Sequence, residues 1–83
     1  MAATFDRSEI RAALAASDAD RSYYLDLETG QVLAVHDTDP TPAAEELRNR
    51  VMDGYGDRYR YIPGGNAGAD DAAVGVWLEA EGI

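Results

Sequence analysis

Two strand-like runs, Ser22-Tyr23-Tyr24-Leu25-Asp26-Leu27 and Gln31-Val32-Leu33-Ala34-Val35, are separated by only Glu28-Thr29-Gly30. No other feature restricts the fold of this chain so strongly. Runs rich in aromatic and branched residues, split by three residues ending in Gly, read as a β-hairpin. A type I turn followed by Gly30 in the left-handed region gives a bulged loop in which Leu27 opposes Gln31. That register pairs Leu25 with Leu33 and Tyr23 with Val35. Because side chains alternate, Tyr23, Leu25, Leu27, Leu33 and Val35 are expected on one inward face, with Tyr24, Asp26, Val32 and Ala34 on the other.

The segments around the hairpin read as helices and one further strand. Asp6 is placed as an N-cap with Glu9 at the third helical position and Phe5 opposite Ile10, which combines a capping box with a hydrophobic staple. Ile10, Ala13 and Leu14 share a face of this helix, which runs to about Ala16. Thr41 caps a second helix with Pro42 at its first position, an apolar stripe of Ala44, Leu47, Val51 and Met52, and Gly54 as its stop. Arg58 to Ile62 reads as a third strand, with Tyr59 and Tyr61 on the inward face. Pro63-Gly64-Gly65-Asn66-Ala67-Gly68 reads as a flexible breaker. A last helix begins at Asp70 or Asp71 and carries Val74, Trp77 and Leu78 at helical spacing as core residues. Its Gly75 is expected to let a neighbouring backbone approach closely.

The order is α-β-β-α-β-α. A hairpin followed by a helical crossover lets the third strand pair beside the first. The expectation is an α+β fold: a small antiparallel three-stranded sheet with the helices packed on one face. Eighty-three residues form one such domain, residues 1–83, and no internal repeat suggests otherwise.

Sixteen acidic residues against seven basic ones, all arginine, give a formal charge of −9. That charge favours solubility and opposes direct contact with nucleic acid or an anionic membrane. It is uneven: Asp26, Glu28, Asp37, Asp39, Glu45 and Glu46 lie in one arginine-free stretch, whereas Arg48, Arg50, Arg58 and Arg60 follow close together. No cysteine is present, which rules out disulfides and thiolate metal sites. No apolar run reaches the roughly 20 residues of a membrane span, and Met1 to Asp6 lack a signal-peptide pattern, so a cytoplasmic location is expected.

The stretch Tyr23-Tyr24-Leu25-Asp26-Leu27-Glu28-Thr29-Gly30-Gln31-Val32 resembles Uncharacterised Protein Family 0158, a group of bacterial proteins without an assigned function. Arg58-Tyr59 with Ile62-Pro63, and Trp77-Leu78 followed by Gly82-Ile83, match the family in the same order. The chain is shorter, because members usually carry a longer helical region between the Ile-Pro and Trp-Leu matches. The resemblance implies a shared fold and a bacterial or phage origin, and it brings no catalytic residues.

Catalytic and ligand-binding patterns are sparse. His36, the only histidine, stands beside Asp37 and near Asp39, but a proline-ended loop of exposed carboxylates reads as solvated rather than as a metal site. Ser8, Ser17 and Ser22 carry no nucleophile-elbow pattern, and Gly64, Gly65 and Gly68 lack phosphate-loop spacing and its lysine. No catalytic, cofactor-binding or metal residues are assigned. Arg58-Tyr59-Arg60-Tyr61 interleaves cations with aromatics, but a strand sends them to opposite faces, so no nucleic-acid patch results. With β-strand pairing beside the first strand, Tyr24, Asp26, Arg58 and Arg60 are expected on an uncovered outward face, with a cross-strand ion pair among them. This face is the candidate interaction surface. The expected function is a small non-enzymatic interaction module with a protein partner or a second copy of itself. The alternative is an acidic inhibitor or nucleic-acid-mimicking decoy, phage-borne for example, that occupies a basic site on a larger protein.

Overall fold

Gly30 does reverse the chain, with φ of +80°, in a loop one residue longer than the sequence suggests. In the computed structural model, which describes residues 4–83, Asp26 N donates to Gln31 O at 2.9 Å and Gly30 N donates to Asp26 O at 2.7 Å. Asp26 therefore faces Gln31, and residues 27–30 form the loop. The reason lies in the Asp26 carboxylate, which folds back to accept from Glu28 N (2.9 Å) and Thr29 N (3.4 Å). An aspartate that hydrogen-bonds the backbone two residues ahead builds its own turn, and here it starts that turn one position early.

The slip reorganises the sheet. Strands β1 (Arg21–Asp26) and β2 (Val32–His36) pair Leu25 with Val32, Tyr24 with Leu33 and Ser22 with Val35. Leu33 and Val35 thus leave the Leu25 face and join Tyr24 on the opposite one, as a one-residue shift requires. Strand β3 (Tyr59–Ile62) pairs antiparallel with β1, giving the order β2-β1-β3. The α+β class and the order α-β-β-α-β-α are as expected.

Both sheet faces now carry apolar side chains, and both are covered. Helices α1 (Arg7–Ala15) and α3 (Asp71–Ala80) bring Ile10, Ala13, Leu14, Val74 and Trp77 onto Leu25 and Ile62. Helix α2 (Pro42–Asp53) sets Val51 and Leu47 on Val35, Leu33 and Tyr59 of the other face. The expectation that all helices share one face is corrected here. A face holding Leu33, Val35 and Tyr59 cannot be left in water, and the β2-α2-β3 crossover supplies its cover.

Local devices fix the helices. Asp6 caps α1 by accepting from Glu9 N at 3.2 Å. Glu9 does not close the capping box; its carboxylate accepts from Val32 N at 3.2 Å, while Asp6 N donates to Gly30 O at 3.1 Å. Helix start and hairpin are thereby tied together. Residues 63–68 are no mere breaker. Gly65 N and Asn66 N donate to Ala16 O and Leu14 O, at 2.6 and 3.0 Å, satisfying carbonyls that the end of α1 leaves without a helical partner. A Cβ at Gly64 would stand 2.3 Å from Ala16 O, so only glycine permits this approach. At Gly75 the nearest outside atom to a Cβ is the Arg7 guanidinium at 3.8 Å, and the expected close backbone approach is absent there.

No helix among the described residues is long and apolar enough to cross a membrane. The signal-peptide reading of Met1 to Asp6 rests partly on Met1 to Ala3, which lie outside the described residues.

Candidate interaction surface

The four residues expected to share an open face do not. Asp26 is 3% exposed, and its carboxylate takes two parallel bonds from Arg58, Nε to Oδ1 at 3.1 Å and Nη2 to Oδ2 at 3.0 Å. Arg58 also reaches Glu28 at 3.2 Å. The anticipated ion pair thus exists as a brace beneath the hairpin turn. Burial is the largest influence on the Asp26 carboxyl and acts to raise its pKa; Arg58, Glu28 N and Thr29 N together outweigh it and hold the pKa below the ordinary aspartate value. Arg60 stands opposite Leu25, on the face of α1 and α3. It donates to Gly56 O (3.0 Å) and Glu81 O (2.9 Å), which ties β3 to its preceding loop and to the end of α3.

Tyr24 remains. Helix α2 covers β2 and the Tyr59 end of β3 on the Tyr24 face, leaving the part around Tyr24 and Tyr61 to a cluster of three tyrosines. Tyr61 pairs with Tyr24 across the strands, and their rings meet edge to face with centroids 5.6 Å apart. Tyr55, in the turn after α2, packs its ring at 83° to Tyr24, with centroids 6.3 Å apart. Such pairs are individually favourable, with the positive ring edge on the negative ring face. Tyr24 is half-buried at the base, whereas Tyr55 and Tyr61 are 54% and 44% exposed. Burial first, then the Asp37 carboxylate, raises the Tyr24 phenol above its usual pKa. Asp37 itself accepts from Ser22 Oγ at 2.9 Å, two residues along the same face of β1.

Sequence reading assigned Tyr61 to the core and passed over Tyr55. For Tyr55 a signal was present: Gly54-Tyr55-Gly56-Asp57 holds an aromatic in a turn that cannot bury it. Tyr61 joins the Tyr24 face because β3 pairs it directly with Tyr24, a register that the strand's own residue pattern does not encode.

Elsewhere, a polar cleft of about 320 Å³ lies between the end of α1, the start of β1 and the glycine loop, lined by Ser17, Asp18, Arg21, Tyr23, Gly64 and Gly65. Tyr23 donates its hydroxyl to Asp18 there. A smaller apolar groove of about 240 Å³ runs between α1 and β2. In the His36 loop, Arg48 donates to the His36 and Asp39 carbonyls, and Asp39 accepts from Thr41 N. Among the described residues no group of three or more His, Asp or Glu side chains is arranged to hold a metal ion.

Comparison with protein-family models, curated proteins and solved structures finds no match.

Proposed function

We propose that this domain is a small non-enzymatic protein-interaction module that meets its partner through Tyr24, Tyr55 and Tyr61. The observation that carries this reading is the edge-to-face tyrosine cluster on the half of a sheet face that α2 leaves uncovered. Tyrosine is enriched at interfaces because it offers a large rigid apolar area and a hydrogen-bonding tip. The cluster is pre-ordered by its own ring contacts, so little side-chain entropy is lost on binding. Membership of Uncharacterised Protein Family 0158 is part of the same proposal and brings no activity with it.

A second reading, the acidic decoy for a basic site, draws support from the fate of the arginines. Arg7, Arg58 and Arg60 are each turned onto carboxylates or carbonyls of this chain, which leaves the surplus negative charge at the surface. One experiment separates the two. Tagged protein is used for affinity capture from the native host at low and high salt, alongside a Tyr61→Ala variant. The module reading expects a partner that is lost on removal of the Tyr61 ring. The decoy reading expects capture that ignores the ring and collapses with salt, as screened long-range attraction does.

A further inference from the structure

Strand β3 is an edge of the sheet, and its outer side is only half closed. Leu27 N donates to Arg58 O at 2.8 Å, so in the antiparallel alternation Arg58, Arg60 and Ile62 turn their backbone groups toward β1 while Tyr59 and Tyr61 turn theirs outward. The turn after α2 satisfies Tyr59: its N–H donates to Gly54 O (3.1 Å) and its carbonyl accepts from Gly56 N (3.0 Å). That turn ends before Tyr61. The N–H and C=O of Tyr61 face outward directly beside the exposed tyrosine rings, and the next outward residue is Pro63, which has a carbonyl to offer and no N–H.

The charges around this edge are one-sided. Arg58 is bound to Asp26 and Glu28, and Arg60 to Gly56 O and Glu81 O. Neither guanidinium is free to meet an acidic partner. Asp37 accepts from Ser22 Oγ, two residues along β1 from Tyr24, and the chain as a whole carries −9. The rings present π faces and edges that attract cations. Within the chain the same contact already occurs, with the Arg58 guanidinium carbon 5.2 Å over the Tyr59 ring. A second copy of this chain is a poor occupant, because it would bring another −9, with Arg7, Arg48, Arg58 and Arg60 of its seven arginines already engaged.

We infer that the partner adds an extended, arginine- or lysine-bearing segment to the outer edge of β3 at Tyr61, laying a cationic side chain over Tyr24 and Tyr61 beside Asp37. This rests on the interaction-module reading and specifies the chemistry of its partner. Backbone pairing at the edge supplies registry, and alternate side chains of the added strand meet the tyrosines, as in other strand-addition modes.

The test is a titration of the isotopically labelled protein, followed by amide NMR, with a capped hexapeptide of alternating arginine and valine and with its glutamate–valine counterpart. Saturable shifts at Tyr61, Tyr55 and Tyr24 with the arginine peptide only are expected. Asp37→Asn should weaken binding about two- to fivefold, the size of one exposed charge contact. Tyr61→Pro leaves pairing with β1 intact because its N–H faces away, and it should abolish binding, whereas Tyr61→Ala should only weaken it. Circular dichroism verifies that each variant is folded. Absence of saturation, shifts centred elsewhere, or equal response to the glutamate peptide would overturn the inference. If the arginine peptide fails while Tyr61→Ala still loses the captured partner, the basic-strand inference falls and the interaction-module reading stands. If capture is also unchanged, both fall.

Discussion

Arg58 grips Asp26 with two parallel bonds of 3.1 and 3.0 Å, while the same carboxylate caps the hairpin turn through Glu28 N and Thr29 N. One buried side chain therefore links the hairpin to β3. Replacing Asp26 with Ala should destabilise the domain by about 2–4 kcal/mol, since hydrogen bonds to charged groups are worth roughly 1.5–3 kcal/mol each and water restores part of what half-exposed Arg58 loses. Asp26→Asn keeps an oxygen for the turn and should cost less. Urea unfolding measures both, and equal stability of all three proteins would contradict the role assigned to this carboxylate.

The same group makes stability depend on pH in a definite direction. Its pKa is lower in the folded chain than in the unfolded one, so the folded state favours the ionised form. The contribution is complete above the unfolded value of about 3.9 and is lost as pH falls through the lower folded value. The stability gap between wild type and Asp26→Asn should therefore be widest near about pH 6 and shrink toward about pH 3. Denaturant curves across that range provide the check; a gap that widens in acid would reverse the sign.

Leu25 and Leu33 lie in different cores and should respond differently to truncation. Leu25 is fully buried beneath α1 and α3, and Leu25→Ala should cost about 2–5 kcal/mol. Leu33 is half-buried under α2 and should cost distinctly less when truncated. Had both pointed into one core, as the shorter hairpin loop implied, the two losses would be similar. Chemical denaturation of the pair distinguishes the registers.

Two glycines predict opposite outcomes. At Gly30 the backbone is left-handed and a Cβ would lie 2.1 Å from Thr4 O; Gly30→Ala should lose about 1–3 kcal/mol or more through this strain. Gly75 sits inside α3 with ordinary contact distance to its nearest neighbour, so Gly75→Ala should stabilise the domain by about 1 kcal/mol through helix propensity. Thermal melts of the two variants should move apart, the first down and the second up.

Much of the fold is local and was legible in residue order. Asp6, Thr41 and Asp70 cap helices where their short oxygen-bearing side chains reach the third N–H ahead. Gly30 reverses the chain because no side chain opposes a positive φ. The spacing of Ile10, Ala13 and Leu14, and of Val74 and Trp77, points to helix faces that bury. Each of these depends on neighbours within a few residues. What tertiary structure alone decided was the hairpin register and everything that follows from it. The loop of residues 27–30 stands because Asp26 meets Arg58 from 32 positions away while capping its own turn, and no local pattern encodes that meeting. One residue of slip carried Leu33 and Val35 to the other face and drew α2 over them. The pairing of β3 with β1, equally long-range, gathered Tyr24 and Tyr61 with Tyr55 into a surface cluster and set Arg60 on the opposite face. With a side-chain period of two, local preference chooses a strand, but only long-range contacts choose which of its faces looks inward.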